Sequence, residues 1–357
     1  MVAEKGIVLI TGACGLIGKA MTKTLAERYR VIGFDILDSP PSMPLSAYMR
    51  VDLSSDESVQ KGLQKVRTDF GDRIASVIHL AAYYNFSGEP SPLYEKVTVR
   101  GTERLLKGLR ASKVEQFVFS STMLVHAPCE RGQKINENWP IEPKWDYPKS
   151  KVDAEELIRR GRGDIRAVLA RIAGVYDDDA HSIPIANQIQ RIYERWLTGC
   201  VYPGDLEKGQ AFVHLEDLVD AVDKMIQRRG ELPPTQALLI GEDKTLGYGE
   251  LQERLGMLIH NEEWKTTNIP KSVAKTGAWF EEKIPGVDPF IKPWMIDLAD
   301  DHFELDVSLA KRLLRWEPKR FLGDTLPIMV EKLKADPAAF YRQNKLELPS
   351  KLEKKEE

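Results

Sequence analysis

The chain has 357 residues, 42% of them hydrophobic, enough for one large domain or two at roughly 100 to 200 residues each. Its 51 Lys and Arg nearly cancel its 54 Asp and Glu, which leaves no overall basic footprint for nucleic acid. Cys14, Cys129 and Cys200 form no CxxC pair, excluding a disulfide scaffold and a four-cysteine zinc site, and no window approaches the roughly 20 apolar residues of a membrane span, so a cytoplasmic protein with no membrane partner is expected.

Residues 6–11 (GIVLIT) are a continuous β-branched run, the pattern of a strand buried on both faces of a parallel sheet. A glycine turn follows, then helical spacing over 19–28 and a second apolar run, 30–35, that ends in an acid. The unit repeats. Further strands are predicted at 48–51, 76–81, 116–120, 165–170 and 237–240, and helices at 58–65, 93–110, 147–160 and 215–227. Such alternation predicts an α/β fold with a doubly wound parallel sheet. It fails at 174–210 and from 241 to about 318, where prolines and tryptophans replace it. These stretches are expected to pack together as a smaller aromatic lobe holding Trp196, Trp264, Trp279, Trp294 and Trp316.

TGACGLIG, at 11–18, closes the first strand and opens a helix. Gly12, Gly15 and Gly18 let the backbone approach a pyrophosphate, while the helix start near Gly15 offers free N–H groups and partial positive charge. A tight turn with no ligand is the plainer use of the same glycines. Asp35 lies close to the roughly 20-residue offset at which an acid grips the adenosine ribose hydroxyls. A carboxylate there repels a 2′-phosphate, which points to NAD over NADP.

In YPKSK, at 147–151, Tyr147 and Lys151 stand one helical turn apart on one face. An ammonium beside a phenol lowers its pKa and makes the tyrosine a usable proton donor and acceptor. Tyr341 and Lys345 repeat the spacing by chance, without comparable surroundings. Tyr147 follows a strand ending in FSST, from which the hydroxyl of Ser121 or Thr122 can share a substrate oxygen with it. Six histidines (79, 126, 181, 214, 260 and 302) show no metal-ligand spacing, so no metal is expected, and Cys14 reads as an inert small side chain.

These pieces stand in the order found in extended short-chain dehydrogenase/reductases of the NAD-dependent epimerase/dehydratase family, which the chain resembles over nearly its whole length. GFD at 33–35, VDL at 51–53, HLAA at 79–82, VRGTERLL at 99–106, FSSTMLV at 119–125, ARIAGVY at 170–176, FVHLEDLVDAV at 212–222 and LLRWEPK at 313–319 extend the match. The resemblance implies a Rossmann-type NAD-binding domain over 1–173 and 211–240, a substrate-binding lobe over 174–210 and 241–335, and a charged tail at 336–357 that is expected to fray. It places Thr122 at the catalytic Ser/Thr, Tyr147 at the acid/base, and Lys151 at the lysine that binds the nicotinamide ribose and tunes the tyrosine. It assigns Gly12, Gly15, Leu16, Ile17, Gly18 and Asp35 to the cofactor, Asp52 and Leu53 to the flanks of the adenine, and Leu80, Ala81 and Ala82 to the wall beside it. It also implies a homodimer through the helices at 93–110 and 147–160, where Glu155, Glu156, Arg159, Arg160 and Arg162 either rim the interface or form a solvated face.

The departures bear on the substrate. Thr98 stands where many members have asparagine, Gly174 replaces a second asparagine, and Gln210 replaces an arginine. The last two normally help to hold a nucleotide-sugar diphosphate, although Arg171, Arg191 and Arg195 lie nearby in sequence. The expected function is NAD-dependent hydride transfer at a secondary alcohol or ketone carbon of a sugar or sugar-nucleotide-like substrate, with epimerisation or dehydration if the keto intermediate stays bound. The alternatives are a simple dehydrogenase of a steroid-like or other lipophilic alcohol, and a non-catalytic NAD-binding redox sensor. Retention of Thr122, Tyr147 and Lys151 together counts against the sensor.

Overall fold

In the computed structural model, which describes residues 5–85, 88–282 and 291–349, the opening apolar run becomes β1 (Ile7–Thr11), buried along its whole length. β2 (Arg30–Asp35) and β3 (Ala47–Arg50) extend the sheet on one side. β4 (Arg73–His79) pairs with β1 on its other side, carrying the two-residue β5 (Lys113–Val114), and β6 (Gln116–Thr122) and β7 (Arg166–Ile172) follow. Gly174–Tyr176 (β8) and Phe212–His214 (β10) pair as a separate ribbon, as do Val201–Tyr202 (β9) and Thr267–Asn268 (β12). β11 (Thr235–Ile240) completes the main sheet in the order β3-β2-β1-β4-β6-β7-β11. Its pairings are parallel throughout.

The chain reverses its direction of winding between β1 and β4, and a crevice opens there beyond the strand ends. Register aligns those ends: Thr11 faces Phe34 on one side and His79 on the other, and His79 faces Phe119. β6 runs on to Thr122, three residues past that row, and so carries its last hydroxyls towards the crevice.

Strand alternation splits the core into two layers, with Val8 and Ile10 in one and Ile7 and Leu9 in the other. One layer is closed by α1 (Leu16–Leu25) and α6 (Leu215–Gln227). The other is closed by α2 (Asp56–Phe70), α3 (Arg100–Leu109) and α4 (Asp146–Gly161). Ser55 caps α2 by accepting from the Ser58 N–H at 3.2 Å, and Asp56 and Glu57 in the first turn suit the positive end of the helix. A third cluster joins α5 (Ile183–Tyr193), α7 (Tyr248–His260) and α11 (Leu322–Ala335) through Ile189, Leu255 and Leu326. α8 (Lys271–Glu282) and α9 (Pro293–Asp297) lie alongside one another.

Several expectations shift. The helix predicted over 93–110 begins as a π-helix, Tyr94–Val99, before α3. α10 (Ser308–Leu314) and Trp316 return to the main sheet layer, where the Trp316 indole donates to the Asp217 carbonyl at 3.0 Å. Trp264 packs in the third cluster, Trp196 is exposed, and the Trp279 side chain lies outside the described residues. The expected tail starts as α12 (Pro337–Gln343), anchored by buried Phe340 and Tyr341, while 350–357 lie outside the described residues. Among the described residues no helix is long and apolar enough to cross a membrane.

Candidate active site

A cavity of about 1270 Å³ opens over the strand ends, and every residue assigned from sequence to catalysis or cofactor lines it. Its cofactor side is the β1–α1 turn. Gly12 has φ +73°, and a Cβ on it would stand 2.9 Å from the Ala81 amide nitrogen. A Cβ on Gly18 would run into the Gly12 carbonyl, which closes the turn against α1. Gly15 differs: its Cβ would meet only the Gly12 oxygen at 3.5 Å, so the backbone at the helix start is bare towards the cavity. These positions fit a pyrophosphate held by N–H groups.

The Asp35 carboxylate accepts from the N–H groups of Cys14 and Ile36, both at 2.8 Å, which fixes it at the end of β2. Asp52 is similarly held. Burial opposes its ionisation, but hydrogen bonds from Ser54 and the nearby Lys96 and Arg50 take its pKa below the ordinary value. Leu80 and Ala81 are tied to β1 by hydrogen bonds from their N–H groups to the Thr11 carbonyl and hydroxyl at 3.1 and 3.3 Å.

Beneath this wall, His79 is completely buried between the hydroxyls of Thr11 (2.7 Å) and Thr102 (2.9 Å). Thr102 donates its own proton to the Thr98 carbonyl at 2.6 Å, so it accepts from Nε2–H of His79, and Thr11 donates to Nδ1. Burial, with Lys151 nearby, pushes the imidazole down to about 3, so it stays neutral as a structural link. Thr98 in turn accepts from the Tyr83 N–H at 3.1 Å.

On the other side of the cavity, Thr122 pulls the Tyr147 pKa downward, whereas Ser121 turns away and donates to Glu155 at 2.6 Å. That separates the two hydroxyls between which the sequence left the choice open. Lys151 is 2% exposed, donates to the Ser120 carbonyl at 2.6 Å, and sits with Nζ 5.7 Å from the Tyr147 ring centroid. Burial lowers Lys151 to about 7 against the opposing pull of Glu155. Burial also raises Tyr147 above the ordinary phenol value, with Thr122 pulling the other way. In the free protein the tyrosine is therefore shifted opposite to the sequence expectation.

Behind Lys151 lies a buried network that the sequence did not reveal. Glu155 and Arg171 pair in fork geometry at 2.7 and 3.0 Å, both almost wholly buried. Arg171 also reaches His126 Nε2 and the Glu137 carbonyl, each at 3.0 Å. Burial first, then the Arg171 charge, holds His126 near 4. Glu155 is thus no surface charge, whereas Glu156 and Arg160 pair in solvent. Its signal was its spacing, four residues after Lys151 and hence on the same inward face of α4.

The substrate side is aromatic. Tyr84 meets the Tyr147 ring edge-on at a centroid distance of 4.8 Å, Trp145 stands 5.4 Å from Tyr147, and Trp294 stands 5.1 Å from Trp145. Gly174 lies in this wall because a Cβ there would come within 2.8 Å of the Phe212 ring, which fills the room an asparagine would need. Gln210 lines the mouth. Of the nearby arginines, Arg171 is committed to Glu155 and Arg195 pairs with Glu262 at 3.0 Å. Arg191 lines the cavity, buried, with Gln188 as one partner. Asp177, Asp179 and His181 bring three potential ligand atoms within 4.8 Å of one another, with His181 bonded to Asp177 and Asp179 paired with Lys332.

The sequence profile of the NAD dependent epimerase/dehydratase family matches residues 8–241. An uncharacterised UDP-glucose epimerase of Bacillus subtilis is 25% identical over 334 residues, spanning 89% of this chain and 95% of that protein. Mouse short-chain dehydrogenase/reductase family 42E member 1 is 28% identical over 348 residues, 88% of this chain and 84% of that protein. Alignments with some other relatives span only 54% and 58% of their length. The fold is shared with UDP-glucose 4-epimerase of Thermus thermophilus in its NAD complex, with a TM-score of 0.69 at 20% identity over 92% of this chain and 99% of that one. The family profile, the parallel sheet and the glycine turn with its acid agree, and the chain belongs to the NAD-dependent epimerase/dehydratase family of extended short-chain dehydrogenase/reductases, with NAD as its cofactor.

Proposed function

We propose that the protein is an NAD-dependent oxidoreductase that transfers a hydride at a secondary alcohol or ketone carbon, with Tyr147 as acid/base. The observation that carries this reading is the gathering of Thr122, Tyr147 and Lys151 at the end of β6 in one cavity with the glycine turn, with Lys151 Nζ 5.7 Å from the Tyr147 ring centroid. Bound NAD supplies the hydride acceptor. Tyr147 takes the hydroxyl proton during oxidation and returns it during reduction, while Thr122 holds the same oxygen. A phenol raised by burial becomes a working base only beside positive charge, which Lys151, its Nζ 5.7 Å from the ring centroid, supplies while it is protonated. Gly12, Gly15, Leu16, Ile17 and Gly18 receive the pyrophosphate, Asp35 the adenosine ribose, Asp52 and Leu53 the adenine, and Leu80, Ala81 and Ala82 wall the cofactor. A redox sensor has no use for the acid/base set.

Two substrate readings share this chemistry. Likeness to UDP-glucose epimerases favours a sugar or sugar nucleotide, with epimerisation or dehydration as the net change. The aromatic wall favours a lipophilic alcohol oxidised to a ketone that leaves. Incubation with NAD and UDP-glucose, glucose or a hydroxysteroid separates them: an isomer without NADH marks the epimerase, and NADH equal to ketone marks the dehydrogenase. If neither product requires Tyr147, the proposal fails. A homodimer through α3 and α4, which pack side by side, belongs to the same reading. A monomeric mass by light scattering at micromolar concentration rejects it.

A further inference from the structure

We infer that the substrate is an apolar, ring-shaped secondary alcohol or ketone, seated against Tyr84, Trp145 and Trp294 beside Tyr147; this rests on the hydride-transfer reading above. The three aromatics come from a loop after β4, the residue that opens α4, and α9, so no local sequence rule assembles them. Tyr84 and Trp145 contact the Tyr147 ring at 4.8 and 5.4 Å, and Trp294 extends the row by its contact with Trp145 at 5.1 Å. Gly88, at φ +74°, makes room for the outermost ring, since a Cβ there would run into the Trp294 indole. Ile183, Tyr202, Tyr248, Met295 and Leu298 continue the same lining.

Several polar groups of the lining are already paired within the protein, although the buried Gln188 Nε2 is not. Ser121 is committed to Glu155, His126 to Arg171 and the Trp139 carbonyl, Lys144 to Asp301, Lys208 to Glu130, and His181 to Asp177. A sugar ring brings several hydroxyls, each of which loses a hydrogen bond to water on entry and needs a partner in return. A hydrocarbon ring needs only apolar surface, which the indoles supply. Gly174 and Gln210 contribute no charge, and the arginine that lines the cavity, Arg191, is buried and bonded to Gln188. Oxidation then breaks the carbinol C–H and O–H bonds: the hydride goes to the bound NAD, the proton to Tyr147, and the C=O remains.

The test uses the full chain saturated with NAD, titrated with trans-2-decalol, cyclohexanol or UDP-glucose and followed by tryptophan fluorescence. Decalol is expected to bind about ten- to a hundredfold more tightly than cyclohexanol, because its second ring covers more of the wall. It is also expected to bind more tightly than UDP-glucose. Trp294→Ala removes most of that gain and Trp294→Phe keeps part of it, while the NAD dissociation constant, unchanged in both, reports correct folding. Tighter binding of UDP-glucose, no binding of decalol, or a Trp294→Ala variant that binds decalol as before overturns the inference. Turnover is read separately. Decalol that binds in the expected pattern yet yields no ketone leaves the slot standing and defeats the hydride-transfer reading instead.

Discussion

Tyr147 and Lys151 both lie within α4, so their side chains leave the same face, and Lys151 is drawn in against the Ser120 carbonyl at 2.6 Å. Tyr341 and Lys345 have the same spacing, but α12 stops at Gln343, and Lys345 follows with φ +55°, off the helix and exposed. Tyr341 is wholly buried in the third cluster and donates to Glu194 at 2.8 Å. On the proposed function, the pair that can work together is the one whose helix continues through both residues and packs against the ends of parallel strands.

The strongest way to break this comparison is Tyr147→Phe. Loss of the proton-transfer group is expected to cut turnover by about a hundred- to ten-thousandfold, with the NAD dissociation constant within about twofold of the parent. Steady-state kinetics and a cofactor titration measure both, and full turnover would reduce Tyr147 to the status of Tyr341.

The lysine sharpens the contrast through pH. Lys151 is lowered by burial to about 7, below its unfolded value of 10.5. Between those values the unfolded chain binds the proton and the folded one does not, so stability rises with pH across that window and falls as pH drops towards 7. One group contributes at most about 1.4 kcal/mol per pH unit. Between pH 7.5 and 9 the gain is therefore about 2 kcal/mol. Urea unfolding of the NAD-free protein measures it, and Lys151→Met should flatten the slope by that amount. A slope unchanged in the variant would show that Lys151 keeps an ordinary pKa.

What was legible in the sequence follows the distance over which each part is assembled. The β1–α1–β2 unit is contiguous, so its glycines, Asp35 and the strand alternation could be read directly. Lys151 and Tyr147 were readable because one helix carries both. The fork between Glu155 and Arg171 was not, since it joins α4 to β7, and a charged residue at an inward position shows only that a partner is needed. The aromatic slot lay further still from any local pattern. Trp145 and Trp294 are 149 positions apart and meet only because α9 is carried over the cavity. The tryptophans do not share one lobe: Trp316 packs against the main sheet and Trp294 lines the cavity.

A smaller effect tests the cofactor surroundings that Tyr147 has and Tyr341 lacks. Asp35→Asn keeps an oxygen for the Cys14 or Ile36 N–H yet removes the charge that would face a 2′-phosphate. Weaker charge-assisted hydrogen bonds to the ribose and relief of repulsion should narrow the preference for NAD over NADP by about tenfold. Titration of both cofactors decides it, and tighter binding of NADP by the unaltered protein would reverse the assignment.

The smallest expected effect belongs to the other tyrosine. Tyr341→Phe removes one hydroxyl and leaves the ring in place, so packing is conserved. The Glu194 oxygen that it releases still accepts from Gln190 at 2.9 Å, and the acceptor is not stranded. The loss is then a single net hydrogen bond, about 1 kcal/mol. Urea midpoints should fall by that amount while turnover and NAD affinity stay at the parent level. A tenfold fall in turnover with stability intact would mean that the α12 pair acts on the reaction after all, and that a sheet-end setting is not what separates a catalytic Tyr and Lys from an accidental one.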